Sequence, residues 1–186
     1  MRRVWAVALV LLMLCGCGGK NRELDKAMQF RDRLLNGEKC TFDVEITADY
    51  GEEIHTFSMT VVSDDKGDVS FRVSKPEVIC GIKGSIQQSQ AALTFDDTML
   101  AFPMLAEGQL TPAAAPWVLL KALRSGYISS VGKEGELNRL TLLDGFEEES
   151  LLLDVWFNMD WIPVRGEILY KGEKIMTLLL ENFSIV

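Results

Sequence analysis

From Cys40 onward the hydrophobicity of this chain repeats with a period of two. Cys40, Phe42, Val44, Ile46 and Ala48 alternate with Thr41, Asp43, Glu45, Thr47 and Asp49. Successive side chains of an extended strand point to opposite faces, so such a run buries one face and leaves the other in water. A parallel strand covered by helices on both faces reads instead as a continuous apolar run. The alternation therefore calls for an antiparallel sheet.

The pattern returns along most of the chain. Residues 54–62 place Phe57, Met59 and Val61 in one phase, after the turn Tyr50-Gly51-Glu52-Glu53. Past the turn Asp64-Asp65-Lys66-Gly67-Asp68, Val69, Phe71 and Val73 make a third strand, and Val78, Cys80 and Ile82 begin a fourth. Residues 91–95 and 98–102 read as a hairpin around Asp96-Asp97. Strands resume at 127–131, 137–143, 151–157, 162–170 and 175–183, separated by Gly132, Gly135, Gly145, Asn158, Asp160 and Gly172.

Two segments follow the helical period instead. In residues 21–36, Leu24, Ala27, Met28, Arg31, Leu34 and Leu35 share a stripe. Asn21 is the expected N-cap, Arg31 is placed to snorkel from the stripe, and Asn36-Gly37 is a stop signal. Near the middle, Thr111-Pro112 and Pro116 start a helix whose apolar face is Trp117, Leu120, Ala122 and Leu123, ending at Ser125-Gly126. The sum is an α+β domain of about ten or eleven antiparallel strands, with an N-terminal helix and a helical insertion. A sheet of that size must curl strongly or close.

The order and phase of these elements resemble the LolA/LolB-like family of bacterial envelope proteins. The resemblance is carried by the stripe from Leu24 to Leu35, the strand from Cys40 to Asp49, the inserted helix around Trp117-Val118-Leu119-Leu120 and the late strand Trp161-Ile162-Pro163-Val164. It spans about residues 21–183. It implies a strongly curved, unclosed antiparallel barrel, with helices packed on the concave face around an apolar cavity. It carries over no functional residue.

The N-terminus has its own logic. Arg2 and Arg3 precede an uncharged apolar run from Val4 to Leu14. Eleven residues suit the core of a signal peptide and fall short of the ~20 that span a bilayer. Leu14-Cys15-Gly16-Cys17 resembles a lipobox, which implies cleavage before Cys17 and acylation of its thiol. Ordinary secretion with cleavage near Gly18 is the competing reading. The expected organisation is a lipoprotein-type signal peptide (1–16), a lipidated tether (17–20) and the domain (21–186). Two acyl chains suffice for stable anchoring. The expected location is the extracytoplasmic side of the bacterial cell membrane.

The whole chain carries −8, and losing Arg2 and Arg3 takes it to about −10. Such a surface argues against nucleic acid, which is held by a positive patch, and against lying flat on anionic lipid. The domain retains two cysteines, Cys40 and Cys80, each in the apolar phase of an expected strand. Outside the cytoplasm they are a candidate disulfide, with two buried thiols as the alternative.

Catalytic signatures are missing. The one histidine, His55, lies in a strand, and no Gly-x-Ser-x-Gly elbow or phosphate-binding glycine loop occurs. The runs Asp64–Asp68 and Glu147–Glu149 read as solvated turns rather than cation sites. We expect no enzyme, no cofactor and no metal. The candidate cavity lining is Phe42, Val44, Phe57, Met59, Phe71, Phe95, Trp117, Leu120 and Trp156. Two functions follow, the first the expectation and the second its alternative. One is binding of a lipid, or of the acyl chain of another lipoprotein, in an apolar cavity. The other is a surface-tethered module that engages an envelope protein. A core packed solid favours the second.

Overall fold

A computed structural model describes residues 22–49, 51, 53–87, 90–95, 98–102, 105–106, 109–145 and 150–186. The leader, Cys17, Asn21, Asp96-Asp97, Glu147–Glu149 and the side chain of Phe95 lie outside the described residues. The chain opens with helix α1 (Arg22–Asn36), followed by strands β1 (Lys39–Asp49), β2 (Ile54–Asp64) and β3 (Val69–Lys75). Then come β4 (Lys83–Gln87), β5 (Gln90–Phe95), β6 (Thr98–Phe102), and the short β7 (Leu105–Ala106) and β8 (Gln109–Leu110). A 3₁₀ turn (Pro112–Ala114) runs into helix α2 (Ala115–Ser125). Strands β9 (Tyr127–Glu134), β10 (Leu137–Asp144), β11 (Leu151–Phe157), β12 (Pro163–Tyr170) and β13 (Glu173–Ile185) complete the chain.

Eleven strands form one antiparallel sheet in the order β6-β5-β4-β3-β2-β1-β13-β12-β11-β10-β9. Its two end strands do not meet, so the sheet curves without closing. This is the expected α+β arrangement of an unclosed antiparallel sheet with two helices. β7 and β8 form a separate small hairpin that the sequence pattern did not announce.

The alternation of β1 holds residue by residue: Cys40, Phe42, Val44, Ile46 and Ala48 are buried. β1 sits at the centre, pairing Val44 with Met59 of β2 and with Leu180 of β13. Both helices pack on the same face of the sheet. α2 contributes Val118, Leu119, Leu120, Ala122 and Leu123 to the core, and α1 contributes Ala27, Phe30 and Leu34. Phe30 meets Phe157 edge-on at 4.9 Å between ring centroids.

The buried face of α1 is rotated from the one expected. Leu24, Met28 and Leu35 are exposed, while Phe30, left out of the stripe, is buried. Arg31 explains the rotation. Its Nε donates to the carbonyl of Leu123 (2.8 Å) and its Nη2 to those of Gly126 (2.7 Å) and Ala122 (3.5 Å). It caps the C-terminus of α2 instead of snorkelling to water, a favourable place for a cation because the last carbonyls of a helix lack backbone donors. Burial pulls its pKa below the ordinary value.

The fourth strand starts later than expected, and this removes the candidate disulfide. Glu77–Ile79 is a 3₁₀ turn, and Cys80 closes it by donating its backbone N–H to the carbonyl of Glu77 (3.2 Å). Gly81, at φ +91°, takes the left-handed conformation that other residues resist. Its N–H reaches back to the carbonyl of Val73 (2.9 Å). The apparent alternation of Val78 and Cys80 is thus a turn held against β3. Val78 and Cys80 are exposed, Cys40 is buried in β1, and both thiols are free. Burial pushes the Cys40 thiol up to about 12, and thiolate is the reactive form. A thiol-reactive tag at neutral pH should therefore modify Cys80 promptly and Cys40 only after unfolding. Peptide mapping of tagged native protein checks this, and equal labelling of both would contradict the burial of Cys40.

Candidate functional site

Two faces of the sheet offer different chemistry. On the inner face the expected cavity residues pack on one another. Phe42, Val44, Met59, Phe71 and Leu120 are at most 4% exposed and belong to one continuous core. Phe57 and Trp117 pack against its margin. Phe42 stacks on Phe183 at 5.3 Å. The ring of Phe71 lies over Gly84, where a Cβ would stand 2.1 Å from Cζ. Glycine is required there because the ring occupies the space of a side chain. At the margin, Lys121 covers the face of Trp117 at 5.3 Å and pairs with Asp144 at 3.0 Å.

Trp156 corrects the expected lining. It is 5% exposed but lies outside the core, on the outer face. β11 is buried on both sides: Leu153, Val155 and Phe157 point inward, so Trp156 points outward. Register places it opposite Arg139 of β10 and Arg165 of β12. The two guanidinium carbons stand 5.3 and 4.8 Å from its ring centroid. Cations over an indole face are held by its quadrupole, and here they also exclude water from it. The indole Nε1 donates to Glu134 (3.0 Å).

The neighbouring row completes the cluster. Asp154, with 4% of its side chain exposed, accepts hydrogen bonds from Arg139 and from the Thr141 hydroxyl. Glu167 accepts from Arg165 and from Lys174. The Asp154 hydrogen bond is the chief cause of a raised Arg139 pKa. Three cations and three carboxylates pair around one tryptophan and make a nearly neutral outer surface, although the Nε of Arg139 and of Arg165 are buried without a hydrogen-bond partner. The sequence did carry a signal for it. Arg139, Trp156 and Arg165 all fall out of phase with the core residues of their own strands.

The other singled-out residues have local roles. His55 Nε2 lies 3.0 Å from Glu53 on the solvent side of β2. The Asp64–Asp68 turn is closed by the Asp68 N–H donating to Asp64 Oδ1 (2.9 Å). Arg124 of α2 donates to the carbonyls of Asp64 (2.7 Å) and Asp65 (3.2 Å), tying that turn to the helix. Among the described residues no group of His, Cys, Asp and Glu could hold a metal ion. No helix among them is long and apolar enough to cross a membrane.

The described surface has several open hollows. One of about 530 Å³ lies between α1 and the end of β13, with Phe30, Trp161 and Phe183 among its walls. Another, of about 510 Å³, adjoins it at Arg33 and Trp161 and is also walled by Lys26, Gln29, Asp32, Met159 and Asp160. A third, of about 350 Å³, includes Trp117 and Leu120.

No family model and no curated protein matches the sequence. Solved structures are similar in fold. A LolA superfamily protein of Nitrosomonas europaea is 9% identical, with a TM-score of 0.48 over 86% of this chain and 93% of that one. A putative outer-membrane lipoprotein-sorting protein domain from Vibrio parahaemolyticus is 11% identical, with a TM-score of 0.49 over 86% and 91%. The lipoprotein LppX of Mycobacterium tuberculosis is 12% identical, with a TM-score of 0.42 over 89% and 96%. The likeness concerns the arrangement of strands and helices. It says nothing of ligand or partner, because function resides in sites rather than in folds.

Proposed function

We propose that this chain is a lipid-anchored protein of the bacterial envelope, acylated at Cys17, whose extracytoplasmic domain acts without catalysis by holding a protein partner near the membrane. The observation that supports binding a partner over binding a lipid is the filling of the inner face. Leu119 and Ala122 are 0% exposed and Leu120 and Leu123 1%, so α2 occupies the space a cavity would need. The Arg31 hydrogen bonds fasten α1 beside α2. A ligand entering the core would have to break them. The outer cluster offers a preorganised surface of Arg139 and Arg165, half-exposed and seated on the buried ring of Trp156, and arginine is enriched at protein interfaces.

Lipid binding is the second reading, and the hollow beside Phe30, Trp161 and Phe183 favours it. Native mass spectrometry of residues 20–186 separates the two. The partner reading expects the mass of the bare polypeptide, and no saturable uptake of a fluorescent fatty acid. A co-purified lipid released only on unfolding would overturn it in favour of the second.

A further inference from the structure

We propose that the turn joining β11 to β12 is a membrane-contacting element, which sets Met159 and Ile162 into the bilayer surface beside the anchor. The proposal rests on acylation at Cys17. The turn is rigid: Asn158 Oδ1 accepts the N–H groups of Asp160 and Ile162, each at 3.0 Å, and the Asn158 N–H donates to the carbonyl of Ile162 (3.0 Å). Trp161, at φ +57°, turns its ring inward onto Phe157 (5.3 Å) and is 5% exposed. That inward anchor leaves Met159 79% and Ile162 38% exposed. A fixed turn that holds out apolar side chains gains nothing from them within the domain. The hydrophobic effect favours covering them.

Chain length says what covers them. Five residue steps separate Cys17 from Arg22, a reach of about 17 Å when extended. Met159 shares a hollow with Lys26, one helical turn past the start of α1, and with Arg33. A turn of helix advances about 5.4 Å. Met159 therefore lies within the tether's reach of the lipid surface. Val186, 76% exposed, joins Ile162 at the adjoining hollow and extends the apolar area.

Charge agrees. The chain carries −8 overall, yet the walls of the Met159 hollow balance Lys26 and Arg33 against Asp32 and Asp160. This neutral area can approach anionic headgroups without the repulsion the rest of the surface would meet. Lys26 and Arg33 have side chains long enough to reach phosphates while their stems stay apolar.

The test uses the full lipidated protein in phosphatidylethanolamine–phosphatidylglycerol vesicles. An environment-sensitive fluorophore is placed at Met159→Cys, or at Glu173→Cys at the start of β13, beyond the far end of β12, in a Cys80→Ser background. The expected result is a blue shift with a several-fold rise in emission at position 159 only, quenched by nitroxide-bearing lipid. The mass of the N-terminal peptide is measured on the same sample. An acylated protein with no shift at 159, or equal shifts at both positions, overturns the proposed contact while leaving the anchor intact. An unacylated N-terminus overturns the anchor and the contact together. A shift at 159 that lipid-borne nitroxide fails to quench assigns the turn to contact between copies of the protein and overturns the membrane contact.

Discussion

Leu119→Ala is expected to lower the unfolding free energy by about 3–4 kcal/mol, as for other fully buried leucines. Leu119 is 0% exposed and reaches from α2 to the sheet. A Cβ built on Gly166 of β12 would lie 3.6 Å from its Cδ1 and 3.7 Å from the Cβ of Leu178. Truncation removes the methyls that join helix to sheet and leaves a void between two rigid elements. Those contacts also make a second variant informative. At 3.6 Å an added methyl is in ordinary contact, so Gly166→Ala is accommodated in the parent. In the Leu119→Ala background the same methyl refills part of the void and should recover part of the loss, an interaction that a double-mutant cycle measures. Denaturant titration is the measurement, with an unchanged slope expected. A loss below about 1 kcal/mol, well under the usual range for such sites, would mean that α2 is not seated on the inner face.

Asp154→Ala should cost about 2–3 kcal/mol and act on the opposite face. The carboxylate accepts from the Arg139 guanidinium and the Thr141 hydroxyl. Without it the hydroxyl loses its partner, and Arg139 keeps the more distant Glu134 at 3.6 Å and the face of Trp156. The expected loss stays below that of a fully buried pair because 42% of the Arg139 side chain meets solvent, which screens the stranded charge. Asp154→Asn keeps an oxygen for Thr141 and should lose about half as much, since charge-assisted hydrogen bonds are roughly twice as strong as neutral ones. The comparison of the two variants by denaturation separates the charge from the hydrogen bond. Equal losses would show that the ion pair contributes and the hydroxyl does not.

The strands were readable because period two is imposed locally. Each residue of β1 has to choose between water and core, and Cys40, Phe42, Val44, Ile46 and Ala48 record that choice. What escaped was set by neighbours distant in sequence. α1 is amphipathic on either of two overlapping stripes. Its rotation was decided by Phe157 and Phe183 accepting Phe30, and by the carbonyls of α2 accepting Arg31. Trp156 reads as core by composition, and only its phase on β11, combined with arginines in register on two flanking strands, places it outside. Cys80 shows the converse error, where a tight turn imitates alternation over three residues. The helical insertion was legible from its prolines and its glycine, because those residues act on the backbone directly. No local rule reports whether α2 fills the space beneath the sheet. That depends on how volumes contributed by six or more elements sum.

The strand order also governs when the domain can be finished. β1 to β6 form one run of neighbours and β9 to β13 another, and in the sheet the two runs meet only where β1 pairs with β13. Each run can assemble from contacts local in sequence. The seam cannot, since it joins Cys40 to Ile185, and such distant pairings carry the largest loop-closure entropy. If the chain is exported from its N-terminus, as proposed above, β13 arrives last. Until those 13 residues arrive, the half-sheet already outside keeps an open edge and α2 has only part of its seat. On the export proposed above, the seam acts as a timer: it holds the domain unfinished while the chain is in transit, and completes it once β13 has crossed.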